Sequence, residues 1–123
     1  MKNPFHILIA DRNPHVRRFL KRELEAEGYR VLLAENGHEI LKIAFTRLPL
    51  DLVVLDPDFP DTDSIDLLNK LRDRVPPLPL VIHSFLTDDG SGETSNGADA
   101  FIEKGASSIE QLKRYLTEKL QAS

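Results

Sequence analysis

With 123 residues, 41% hydrophobic and 29% charged, the chain has the length of one domain and enough of it to bury roughly two-thirds of the surface it would expose unfolded. It contains no cysteine, which excludes thiolate zinc sites, thiol nucleophiles and a disulfide framework, and its four histidines, His6, His15, His38 and His83, lack metal-ligand spacing. The 16 basic and 20 acidic residues leave a formal charge of -4. That balance gives no overall reason to expect nucleic-acid contact, and no apolar run approaches the ~20 residues that cross a bilayer. The first residues lack the apolar stretch and cleavage site of a signal peptide. A single cytoplasmic domain over residues 1–123, away from the membrane, is the expectation.

Residues 5–10 (FHILIA) form a short aliphatic run that ends at Asp11 and reads as a buried parallel strand. Asn13 then stands ready to cap a helix that starts at Pro14, carries Val16, Phe19, Leu20 and Leu24 at helical spacing, and stops at Gly28. Residues 29–33 are a second strand, and residues 37–48 place Ile40, Leu41, Ala44 and Leu48 on one stripe of a second helix. Residues 50–55 (LDLVVL) are a third strand that ends at Asp56, followed by the acidic loop DPDFPDTDS. Ile65, Leu68, Leu71 and Val75 mark a third helix ended by Pro76 and Pro77, with strands at 78–82 and 100–102.

Between those last two strands, residues 87–97 (TDDGSGETSNG) hold three glycines and no aliphatic or aromatic side chain. Such a segment has nothing to bury and loses helix propensity at each glycine, so it predicts a flexible loop in place of a full helix. Ser107 precedes Glu110 at capping-box spacing, and Ile109, Leu112, Leu116 and Leu120 form the stripe of a last helix. Alternating strands and helices imply an α/β fold, a parallel sheet covered by helices on both faces through right-handed crossovers.

In an open sheet of this kind, ligands bind beyond the carboxyl ends of the strands. Asp11, Asp56, Ser84 and Lys104 all follow or end strands, so two carboxylates, a hydroxyl and an ammonium converge on one edge. That set suits a phosphoryl group: one carboxylate takes it, the other helps to hold Mg²⁺, and the hydroxyl and ammonium donate to its oxygens.

These pieces in this order, ILIAD with Asp11, LVVLDPDFPDTDS with Asp56, PLVIHS with Ser84 and GADAFIEKG with Lys104, resemble the receiver domain of two-component response regulators over nearly the full chain. The resemblance implies a flavodoxin-like, doubly wound five-stranded sheet in order 2-1-3-4-5, with the helix between strands four and five reduced or disordered here. It implies that Asp56 accepts the phosphoryl group from a sensor histidine kinase or phosphotransfer protein. Asp11, Asp56 and the backbone carbonyl of Asp58 would then hold Mg²⁺, Ser84 and Lys104 would contact the phosphoryl group, and Ser84 and Phe101 would act as the switch. A downstream effector, or an effector domain outside this chain, would read the result. The domain would not be an enzyme beyond slow self-dephosphorylation.

Several positions depart from the family pattern. Arg12 replaces the second acid after the first strand, Ser64 replaces a glycine after the acidic turn, and Gly105 replaces the proline after the lysine. A cis bond before a residue other than proline costs roughly 2.5–4 kcal/mol, so the Lys104–Gly105 bond is predicted trans. Arg12 predicts weak Mg²⁺ binding and slow or absent phosphorylation, with its guanidinium paired to Asp11 or Asp56 or solvated. The departures also support a second reading, a degenerate receiver that binds a partner without phosphorylation. A third is a phosphatase of the haloacid-dehalogenase kind, in which Asp56 attacks phosphate and Asp58 is the general acid; the threonine expected soon after is missing and little chain follows. Arg17, Arg18, Lys21 and Arg22 read as a solvated basic flank, and His83 as a core or rim residue.

Overall fold

The computed structural model describes residues 4–46, 49–85 and 98–121. In chain order they form β1 (His6–Ala10), α1 (Pro14–Ala26), β2 (Arg30–Ala34), α2 (Gly37–Ala44), β3 (Leu52–Leu55), α3 (Ser64–Arg72), β4 (Leu80–Ser84), β5 (Ala100–Glu103) and α4 (Ser108–Leu116), which runs into a π-helical turn, Thr117–Gln121. The strands make one parallel sheet in the order β2-β1-β3-β4-β5. Segment 87–97, predicted as a loop in place of a full helix, lies outside the described residues.

Both faces of the sheet are covered, which is why β3 (LVVL) and the runs ILIA of β1 and LVI of β4 are continuously apolar instead of alternating. Ile7, Ile9, Leu52, Val54 and Val81 meet Leu20 and Leu24 of α1 and Leu112 and Leu116 of α4. Leu8, Val53, Leu55, Leu80 and Ile82 meet Ile40 and Ala44 of α2 and Leu67, Leu68 and Leu71 of α3. Successive residues of each strand thus serve two separate cores.

Helix ends follow local chemistry. Asn13 caps α1 by accepting from the N–H groups of His15 and Val16, at 2.9 and 3.4 Å, and Gly28 ends it with a φ of +96°, a conformation that glycine adopts without steric cost. α2 closes at Ala44, where the Arg74 guanidinium donates to the Ala44 carbonyl at 2.6 Å, and the predicted Leu48 lies outside the described residues. α3 closes at Arg72, so the predicted Val75 falls outside it and is exposed. The residue before a proline is pushed out of helical conformation, and Val75 precedes Pro76. The predicted capping box of the last helix does not form. Ser107 sits at φ -98° and ψ 1°, outside the extended region a cap uses, and its hydroxyl accepts from Gln111 instead.

Candidate functional site

Register brings the site together. Ala10 pairs with Leu55 across β1 and β3, so Asp11 and Asp56, the next residue on each strand, lie side by side at the carboxyl edge. Ser84 pairs with Glu103 across β4 and β5, and the Lys104 N–H donates to the Ser84 carbonyl at 2.9 Å, which holds the lysine backbone at the same edge. All four predicted residues therefore converge.

Their side chains form one network. Lys104 Nζ lies 2.8 Å from Asp11 Oδ2 and 2.7 Å from Asp56 Oδ2, and all three side chains are largely buried. Asp11 Oδ1 accepts from the Asn13 N–H at 2.8 Å. Asp56 Oδ1 accepts from the Asp58 N–H at 3.1 Å and from Ser84 Oγ at 3.3 Å. Burial is the largest single influence on Lys104 and pushes its pKa down. The hydrogen bonds and charges of Asp11 and Asp56 together outweigh it, and the net value is raised above 10.5. Beside the network, burial first and then the Lys104 charge hold the buried His83 below its usual 6.5, so its ring is neutral at pH 7, and among the described residues its Nε2 has no hydrogen-bond partner.

A cleft of about 490 Å³ opens above Asp56, between Asp58, Phe59 and Thr62 on one side and Ser84 and Phe85 on the other. The Phe85 ring is exposed, and Lys104 Nζ lies 5.5 Å from its centroid. A larger cleft, about 750 Å³, lies at the opposite end of the sheet near His6 and Arg30. The converging carboxylates and lysine, not volume, make the Asp56 cleft the candidate site.

Arg12 follows the solvated alternative expected of it. Its guanidinium pairs with neither Asp11 nor Asp56 but with Asp58 Oδ2, at 3.4 Å, and both side chains are more than half exposed. A pair so exposed contributes ~0–1 kcal/mol. Phe101 is half-buried against the core beneath α2 and α3, in register with Ile82. The Lys104–Gly105 bond is trans, as predicted.

Two groups escaped the sequence reading. Arg17 is not part of a solvated flank: its side chain is mostly buried, and it donates to the Asp11 carbonyl at 2.6 Å while Glu35 lies 3.5 Å away. It anchors the turn that carries Asp11. Asp61 reaches across to the start of α2, where its carboxylate accepts from the N–H groups of Gly37 and His38 at 2.9 and 3.0 Å. It ties the loop after Asp56 to a helix. Asp61 lies 24 and 23 residues along the chain from its two partners, a separation that leaves no local signal.

Comparison with known proteins decides the family. The model of the response regulator receiver domain matches residues 7–117. The chain belongs to the response regulator receiver domain family. Among relatives of this receiver domain, transcriptional regulatory protein TrcR of Mycobacterium tuberculosis is 32% identical over 115 residues, covering 91% of this chain and 44% of TrcR. The KDP operon transcriptional regulatory protein KdpE of Escherichia coli is 34% identical over 101 residues, covering 80% of this chain and 44% of KdpE. The chain thus spans less than half the length of these curated relatives. Response regulator TrrA of Thermotoga maritima, solved in complex with Mg²⁺-BeF, superposes with a TM-score of 0.81 at 30% identity, covering 93% of this chain and 97% of TrrA. TrrA has also been solved in complex with histidine kinase ThkA; that structure gives the same TM-score and identity over 94% and 98% of the two chains.

Family membership sets the phosphatase reading aside. The residues of this receiver domain offer a divalent ion only a weak site. The two carboxylates at the edge are already paired with Lys104, a guanidinium stands where a further acid would be, and among the described residues no three acidic or histidine side chains converge. Among the described residues no helix is long and apolar enough to cross a membrane.

Proposed function

We propose that this receiver domain accepts a phosphoryl group on Asp56 from a histidine of a sensor kinase or phosphotransfer protein, and that the phosphorylated form presents an altered surface to a partner. The observation that carries the reading is the single ammonium of Lys104 drawn between Asp11 and Asp56, with the Ser84 hydroxyl on the other Asp56 oxygen, at the mouth of an open cleft. In the transfer, an Asp56 oxygen attacks phosphorus as the N–P bond of the phosphohistidine breaks. The electron pair leaves with the imidazole nitrogen, which takes up a proton. The acyl phosphate carries one more negative charge than the carboxylate, and Lys104 and Ser84 are the donors within reach of it.

The domain is then a phosphoacceptor and not an enzyme, apart from slow loss of the group to water. Its setting is the cytoplasm, in keeping with a chain free of cysteine. The relatives' names as transcriptional regulators support an output that lies in a partner or in chain beyond this domain, which itself contacts neither nucleic acid nor membrane. The resting domain binds Mg²⁺ weakly, because its carboxylates are engaged and Arg12 repels a second cation. In calorimetric titration Arg12→Asp binds Mg²⁺ at least about tenfold more tightly than wild type; equal affinities would remove Arg12 from this account.

Intact-mass spectrometry after incubation with acetyl phosphate tests the central claim. The wild type gains one phosphoryl group and Asp56→Asn gains none. A wild type that gains nothing would return the domain to a constitutive binding module.

A further inference from the structure

β1 and β3 are neighbours in the sheet, so the loops that leave their carboxyl ends flank Asp56 from two sides. Arg12 stands on the first loop and Asp58 on the second, and their 3.4 Å pair bridges the two. The backbone N–H of the same Asp58 donates to Asp56 Oδ1. Arg12 is thereby tied at the rim to the residue two positions beyond the acceptor, while Lys104 Nζ holds the inner side of Asp56 at 2.7 Å. The edge carries two positive charges, Lys104 and Arg12, against three carboxylates, Asp11, Asp56 and Asp58, so side chains already meet most of the charge that a divalent ion would balance.

We infer that Arg12 takes the place of a divalent cation: a phosphoryl group on Asp56 is gripped by Lys104 from within and Arg12 from the rim, and its binding in this chain does not require Mg²⁺. The inference rests on the reading of Asp56 as the phosphoacceptor. Three features support it. The guanidinium presents a planar fork of donors that matches two oxygens of a tetrahedral anion, which an ammonium does not. Its present partner is a mostly exposed carboxylate, a hold that a more highly charged group breaks easily. Finally, a metal ion would have to displace Lys104 from both carboxylates and settle beside a like charge.

The probe is beryllofluoride, in which an Asp56 oxygen enters the coordination shell of beryllium in place of a water. Bound fluoride is read by fluorine NMR in metal-stripped buffer and in buffer with Mg²⁺. The wild type binds with affinities that agree within about threefold between the two buffers, whereas Arg12→Asp is weaker by at least about tenfold without metal and recovers with Mg²⁺. Arg12→Lys, which keeps the charge without the fork, binds more weakly than wild type in metal-stripped buffer by at least about threefold. A wild type that binds only with Mg²⁺ overturns the inference and leaves Asp56 as the acceptor. Arg12→Ala binding as tightly as wild type without metal overturns the role of Arg12. A wild type that fails in both buffers while Arg12→Asp binds with Mg²⁺ shows that Arg12 obstructs the site, and also overturns it. Failure of both proteins in both buffers removes the acceptor reading itself, and the inference with it.

Discussion

Lys104 is the residue on which the site's stability turns. Its ammonium is the common partner of two neighbouring carboxylates at a largely buried edge, and removal of one partner from such an arrangement leaves uncompensated charge. Lys104→Met is expected to cost about 3 kcal/mol at neutral pH, measured by urea unfolding. The sign of the pH dependence follows from the raised pKa of the folded state. The ammonium's contribution is complete below 10.5, the unfolded value, and is lost as pH rises through the higher folded value. The gap between wild type and Lys104→Met should therefore narrow on the alkaline side; a gap that stays constant there would show that the ion pairs contribute nothing. Gly105, next in the chain, has open space where a Cβ would stand and no positive φ. Gly105→Ala should leave stability within about 0.5 kcal/mol, so the lysine's position does not depend on glycine there.

Between elements, the loop from Asp56 to α3 is fastened to the start of α2 through one narrow contact. A Cβ on Gly37 would collide with the Thr62 methyl and lie 3.2 Å from Asp61 Oδ1. Gly37→Ala, which at an open helical position would stabilise by up to about 1 kcal/mol, is therefore expected to destabilise by about 1–3 kcal/mol. Asp61 contributes the other half. The N–H of Gly37, then that of His38, hold its carboxyl below the ordinary 3.8. A lowered carboxyl pKa stabilises the fold above 3.8 and ceases to do so as pH falls through the folded value beneath it. Asp61→Asn should thus be less stable than wild type at neutral pH and converge with it in acid. Parallel curves down to low pH would mean that the charge plays no part.

At the scale of the whole molecule, the two cores are separated by the sheet, and each is filled from its own pair of helices. Leu67 of α3 lies in one and Ile9 of β1 in the other. Leu67→Ala is expected to cost about 2–5 kcal/mol and Ile9→Val about 0.5–1.5 kcal/mol. Because they lie in separate core clusters on opposite faces of the sheet, the double variant should equal the sum within about 0.5 kcal/mol in denaturant titration. A larger departure would show that the sheet transmits strain from one layer to the other.

The apolar runs ending at Asp11 and Asp56, the Asn13 cap with Pro14 after it, and the stripe Leu112 and Leu116 were all legible in the chain, because hydrophobic period and cap chemistry act within a few residues. The converging set Asp11, Asp56, Ser84 and Lys104 was legible too, since parallel strands deliver their carboxyl ends to one edge. Which cation meets which carboxylate was decided only by the tertiary structure. Lys104 between two carboxylates, Arg12 on Asp58, Arg17 on the Asp11 carbonyl and Asp61 at the start of α2 join separate elements. Local order follows from interactions between near neighbours in sequence, whereas a long charged side chain has many rotamers and finds its partner only once packing has fixed where the other elements lie.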